Sequence, residues 1–347
     1  METKNRNVLF DNFRGMLMFI FVMLAVMAAI YRYNADSVIP DWVFDHAQGR
    51  AVGPFGSPFT PVDLGMIFFY FIGGMTAVPA YRSRAFKDGK KAAMSHLFTR
   101  NLSLIGIGTV MYLVAALFTA NPNPGLWGPL QAIGFTGILT MAFLHLDKRR
   151  RAIAGIAFIA VHEIFSKYLY TLWNPQIFTL ADGGFQVCLM YAGFFLITTV
   201  LFELYAKNFS SFLLGLLPII AFTVAIYFVL PPTYRPYNVT FFAVTYSVVA
   251  LIFIIFRLIL DFVKFITEKI FRKHTSGLIP LAGLMGRNML LYFIIRYPLS
   301  ILFQILYNSL FVKAGVYLGG AIVAILAVGL LVLIEYTLKK KNILIKM

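Results

Sequence analysis

Long unbroken apolar runs alternate along the chain with short polar stretches in which Lys and Arg collect. A helix needs about 20 apolar residues to cross about 30 Å of hydrocarbon. Runs of this order fall at approximately 14–32, 61–81, 102–120, 129–146, 152–172, 184–203, 211–230, 239–262, 278–296 and 314–338. They are continuously apolar, without the two-residue alternation of barrel strands, and too long to be strands, which excludes a transmembrane β-barrel. The expected fold class is therefore all-α: a polytopic membrane helix bundle of about ten transmembrane helices, forming a single integral-membrane domain over residues 1–347. The polar start runs directly into the first apolar segment with no small-residue cleavage site, so that segment reads as an uncleaved span.

Sidedness follows from the cations. Counted by alternate loops, 23 of the 30 Lys and Arg fall on the side that carries both termini. The other side holds Arg32, Arg50, Lys167, Arg235, Arg296 and Lys313, and Arg287 lies inside a run. The positive-inside rule then places both termini in the cytoplasm, with basic loops against anionic lipid headgroups. The longest interruption is the first outer loop, about 33–60, which carries Asp36, Asp41, Asp45, His46 and Arg50. A loop of that length is functional or disordered. Its Trp42, Phe44, Phe55 and Phe59 argue for packing. No internal repeat relates the two halves of the sequence.

Composition sharpens this picture. The 347 residues are 60% hydrophobic and 13% charged, about half the charge of an ordinary soluble domain. Disorder, a coiled coil and a disulfide scaffold are excluded. The net charge of +16 imitates a nucleic-acid binder, but the cations sit at the ends of apolar runs, so no nucleic acid partner is expected. Cys188 is the single cysteine and rules out an intramolecular disulfide. No His pair has metal-ligand spacing, and the nucleophile-elbow, phosphate-loop and dinucleotide-binding glycine patterns are missing, so no metal is expected.

Ionisable and amide groups within or beside the spans carry the candidate chemistry, because lipid tolerates them only with a partner or a purpose. Asp11 and Arg14, three apart at the start of the first span, can pair, cap the helix, or offer a cationic site to a phosphate-bearing ligand. Thr60-Pro61-Val62-Asp63 opens the second span with helix-start chemistry; its carboxylate caps the helix or orients a histidine in the preceding loop. Gln131 needs a partner on another helix or a substrate. Arg287, about ten residues into its run, is expected near mid-membrane, facing a polar interior. Among the five histidines, only His46 stands in the outer loop with carboxylates close in sequence, Asp45 and, across the loop, Asp63.

Several of these segments resemble one family. Leu9-Phe10-Asp11-Asn12-Phe13-Arg14-Gly15 is similar to the D-x-F-R-G opening of heparan-alpha-glucosaminide N-acetyltransferases and their bacterial relatives. Phe44-Asp45-His46-Ala47 followed by Thr60-Pro61-Val62-Asp63-Leu64 resembles that family's F-x-H-A and L-T-x-A-D-L segments. Gly128-Pro129-Leu130-Gln131-Ala132-Ile133-Gly134 is similar to its G-x-L-Q-R-I-G, and Gly286-Arg287-Asn288-Met289-Leu290-Leu291-Tyr292 to its G-x-N-x-L-L-x-Y. The matches come in family order over most of the chain. Ala132 stands where the family carries Arg, and Ala25 where it carries a functional Asn.

The resemblance implies a multi-pass transferase of the bacterial cytoplasmic membrane. Acetyl-CoA bound from the cytosol would pass its acetyl group to an extracytoplasmic acceptor, an amino sugar or other glycan. His46 would act as base or acyl carrier, oriented by Asp45 or Asp63. Asp11, Arg14, Gln131, Arg287 and Asn288 would hold the donor. Two other readings stay open: a secondary transporter of a sugar or glycan fragment with Arg287 and Gln131 at its centre, and a relative that binds lipid or CoA without turnover. Membrane lipids are expected partners, and a homodimer is one assembly the sequence leaves open.

Overall fold

The computed structural model describes residues 8–31, 43, 59–118, 127–169, 184–233, 237–269, 280–341 and 343. Among these, the regular elements are helices, and no strand occurs. They are α1 (Val8–Tyr31), α2 (Leu64–Asp88), α3 (Lys90–Phe118), α4 (Pro129–Met141), α5 (Lys148–Leu169), α6 (Val187–Lys207), α7 (Phe209–Val229), α8 (Val239–Lys269), α9 (Pro280–Arg287), α10 (Met289–Leu306) and α11 (Gly315–Lys340). The described part of each apolar run lies mostly on one or two of these helices. Seven described helical stretches are long and apolar enough to cross a membrane. The last of them, Met289–Lys340, has 52 residues, about 78 Å if it were straight and far more than one crossing needs. A π-type turn at Tyr307–Phe311 and a short 3-10 turn at Val312–Ala314 divide it into α10 and α11. At 13 residues α4 is too short to cross alone.

The chain divides into two compact units, one of residues 1–46 and 251–347, the other of 47–250. The division falls within α8.

In the second unit α6 is the packed centre. Tyr70 of α2 stacks on Tyr191 of α6 with ring centroids 4.2 Å apart. Phe71 of α2 meets Phe202 of α6 edge-on at 5.5 Å. Phe194 of α6 lies against Phe242 and Tyr246 of α8, and the Tyr246 hydroxyl is 2.7 Å from that of Thr198. In contrast, α7 is apolar all round yet only 17% of its most apolar stretch is buried, against 67% for α6. Phe228 and Val229 at its end are 82% and 79% exposed. Such a surface is costly in water and cheap in lipid.

In the first unit α1 is held on several sides. Phe13 packs edge-on against Phe253 at 5.2 Å and tilted against Phe256 at 5.3 Å, both in the later part of α8. Against α9 the contact is backbone to backbone. A Cβ on Gly15 would land on the carbonyl oxygen of Ala282, and one on Gly286 on the carbonyl oxygen of Asp11. Only glycine permits this approach.

One expectation is revised here. The run at 278–296 is not a single helix: it breaks at Asn288, whose φ of −110° and ψ of 29° lie outside the helical region. Arg287 therefore ends α9 instead of standing mid-helix, with 43% of its side chain exposed. The second helix also continues past the sequence-based end, through Pro298 to Leu306. Arg296 does not stop it, because its guanidinium lies over the rings of Phe293 and Tyr297, 4.1 and 4.7 Å from their centroids. That stacking lowers the cost of carrying the cation along an apolar helix.

Candidate functional site

Three of the residues singled out in the sequence meet in the first unit, although they come from opposite ends of the chain. Asp11, in the first turn of α1, is 4% exposed. Arg14 Nη1 lies 3.7 Å from its Oδ1, and Arg287 Nε lies 3.9 Å from its Oδ2. Both distances exceed hydrogen-bond range, so these pairs are Coulombic. One buried carboxylate thus faces two guanidiniums. Their side chains are 20% and 43% exposed, so the positive charge is the part of the cluster that solvent reaches. Asn288, 1% exposed, sits at the α9–α10 break beside Arg287. The motif glycines Gly15 and Gly286 bring α1 and α9 close enough for the cluster to form.

The sequence reading missed two further members. Glu335 of α11 is 1% exposed and Tyr292 of α10 is fully buried. The Tyr292 hydroxyl stands beside the Glu335 carboxyl, which also feels the charge of Arg287. Neither group reaches hydrogen-bond geometry with a partner among the described residues. Glu335 was legible as the single acidic residue of α11. Its nearness to Lys339, Lys340 and Lys341 made it look like part of a basic tail.

Asp63 is placed at the start of α2. The backbone N–H and the hydroxyl of Thr60 both donate to its Oδ2, at 2.8 and 3.1 Å. This is one half of a capping box, and it gives the carboxylate a structural task. Asp45 and His46 lie outside the described residues. Gln131 belongs to the second unit, where it is 2% exposed and its carboxamide packs on Gly108 of α3, leaving no space there for a Cβ.

The second unit has polar groups of its own. Arg151 is fully buried; its Nη1 donates to Thr199 at 2.9 Å, and its Nη2 lies 2.6 Å from Glu203 Oε2. The other Glu203 oxygen is 2.6 Å from Arg82 Nη2, so one carboxylate ties α2, α5 and α6 together. His162 is buried, with Nδ1 3.5 Å from Glu163 Oε1 and Nε2 3.4 Å from the Ser166 hydroxyl. That same Glu163 oxygen accepts the Val239 N–H at 2.6 Å and caps the start of α8. Before α5, Asp147 Oδ1 accepts the N–H groups of Arg149 and Arg150 at 2.9 and 3.0 Å. The Arg150 N–H, and to a lesser extent that of Arg149 and the two charges, hold the Asp147 carboxyl below the usual carboxylate value.

Among the described residues no group of three or more His, Cys, Asp and Glu could hold a metal ion. No protein-family model matches the chain, and no curated protein matches it.

Proposed function

We propose that the chain is a membrane-embedded acyltransferase that takes an acetyl group from acetyl-CoA on the cytoplasmic side and delivers it to an amino sugar or other glycan on the opposite side. The observation that carries this reading is the meeting of Asp11, Arg14 and Arg287 in one cluster, with Asn288 next to Arg287 in the chain. These residues belong to two separate motifs of the resemblance, and their gathering at one place is what a shared ligand requires. The two guanidiniums beside this carboxylate are 20% and 43% exposed, and planar forks of this kind suit the phosphates of CoA. Asp11 and Arg14 lie at the start of α1, close in sequence to the N-terminus, which the cation bias assigns to the cytoplasm. His46, in the outer loop, is the residue proposed to receive the acetyl group or to deprotonate the acceptor, with Asp45 or Asp63 as its orienting carboxylate. Asp63 also has the helix-start role described above.

The test uses the purified chain in proteoliposomes loaded with acetyl-labelled acetyl-CoA. Label on glucosamine or a glucosamine-ended oligosaccharide outside the vesicle is the expected result. Uptake of the sugar into the vesicle without label would favour the transporter. Stabilisation by CoA with no loss of acetyl-CoA would mean binding without turnover.

A further inference from the structure

Glu335 is a membrane-helix carboxyl with both oxygens buried and neither in hydrogen-bond geometry with a described residue. Burying a bare carboxylate is expensive, and two things relieve it: a proton, or a cation brought close. The groups that act on it are the Tyr292 hydroxyl from α10 and the Arg287 guanidinium at the end of α9. Arg287 is shared, since its Nε also lies 3.9 Å from Asp11, which in turn holds Arg14. Among the described residues, these two acids and two guanidiniums balance when Glu335 is ionised and leave one positive charge when it is protonated.

We propose that Glu335 is a proton-binding site linked to anion capture: it takes up a proton when Arg14 and Arg287 engage an anionic ligand. The physical cause is the field of Arg287. An anion drawn to the exposed side of that guanidinium cancels part of the positive field that reaches the buried Glu335, and adds a like charge to the cluster. Both effects favour the neutral carboxyl, whose proton then has the Tyr292 oxygen beside it as acceptor. By linkage the converse holds, and loading Glu335 with a proton tightens anion binding. The ligand class is a sulfate- or phosphate-bearing anion. That it is the phosphate end of an acyl-CoA rests on the function proposed above; the proton linkage does not.

The test is calorimetric titration of the purified full chain with CoA and, separately, with inorganic sulfate, which does not itself titrate near neutral pH. Each titration is run in two buffers of different ionisation enthalpy to count the protons bound. The expected result is uptake of up to one proton per site in the wild type, with affinity for sulfate rising by up to tenfold per unit fall in pH. In Glu335→Gln, which imitates the protonated state, sulfate binding should stay tight, take up no proton and lose its pH dependence. Tyr292→Phe keeps the carboxyl and should keep the uptake. Binding without uptake in the wild type, or unchanged uptake in Glu335→Gln, overturns the proposal. If Glu335→Gln does not fold, infrared difference spectra of the wild type with and without sulfate decide: a new protonated-carboxyl band supports the linkage and its absence overturns it. Sulfate binding with uptake but no CoA binding keeps the linkage and removes the acyltransferase reading. Failure of both anions to bind overturns both.

Discussion

Arg287 Nε lies 3.9 Å from Asp11 Oδ2, a contact between the first turn of α1 and the last residue of α9. Because Arg287 is 43% exposed, solvent screens this pair, and its share of stability is small, about 0–1 kcal/mol. Its importance is to a ligand. Arg287→Ala should leave thermal unfolding nearly unchanged while weakening CoA binding by about tenfold or more, the loss expected for one charge-assisted contact. Arg287→Lys should rescue only part of this, since an ammonium cannot reproduce the planar fork. Isothermal titration with CoA checks both.

The close crossing of α1 and α9 gives a purely steric prediction. Gly15→Ala and Gly286→Ala each place a methyl group on backbone, not on a side chain that can turn away. Overpacking of that kind costs about 1–3 kcal/mol or more. Gly329→Ala in α11 meets nothing within 4 Å and should be neutral or gain about 0.5–1 kcal/mol through helix propensity. Thermal unfolding in detergent, followed by circular dichroism, ranks the three. Equal effects would contradict the described crossing.

Glu203 separates a buried from an exposed ion pair. Glu203→Gln leaves the fully buried Arg151 without its counter-charge, at an expected cost of about 3–5 kcal/mol. Arg82→Ala removes a partner that is 59% exposed and should cost about 0–1 kcal/mol. Chemical denaturation of the two variants should differ accordingly.

His46→Ala should abolish acetyl transfer while leaving CoA binding and unfolding near those of the wild type. Assay of transfer and of CoA binding on the same preparation tests this. Full transfer in the variant removes His46 from the proposed chemistry.

Asp147 supplies a pH dependence with a definite sign. Its folded value lies below the usual 3.8 because the N–H groups of α5 favour the charged form. A lowered carboxylate contributes stability that is complete above the unfolded value and is lost as pH falls through the folded one. The difference in melting temperature between wild type and Asp147→Ala should therefore be steady near neutral pH and shrink under acid conditions. A difference that grows on acidification would contradict the capping role.

The helices were readable from the chain because each satisfies its own backbone hydrogen bonds, and in lipid that local requirement is close to absolute. The length of an apolar run is enough to locate such an element. Its interruptions are less legible: the α9–α10 break at Asn288 lies inside a run long enough to read as one span, while Arg296 and Pro298, which look like a terminus, are accommodated inside α10 by ring stacking and a tolerated proline. Candidate residues were legible to the same degree. Asp11, Arg14, Arg287 and Asn288 stood out because each is polar where the surroundings are not. Asp63 stood out for the same reason, and its carboxylate accepts from Thr60 in the helix-start role that the sequence offered as one of two.

The sequence by itself determined that the chain is helical, where its apolar helices run, and which polar residues required an explanation, since these depend on composition within one segment. The tertiary structure alone decided which of those residues meet. Asp11 joins Arg287 because Gly15 and Gly286 let two backbones touch, and Glu335 faces Tyr292 because α10 and α11 present those faces to each other. Contacts of this kind depend on side-chain shape across segments distant in the chain, and no single segment encodes them.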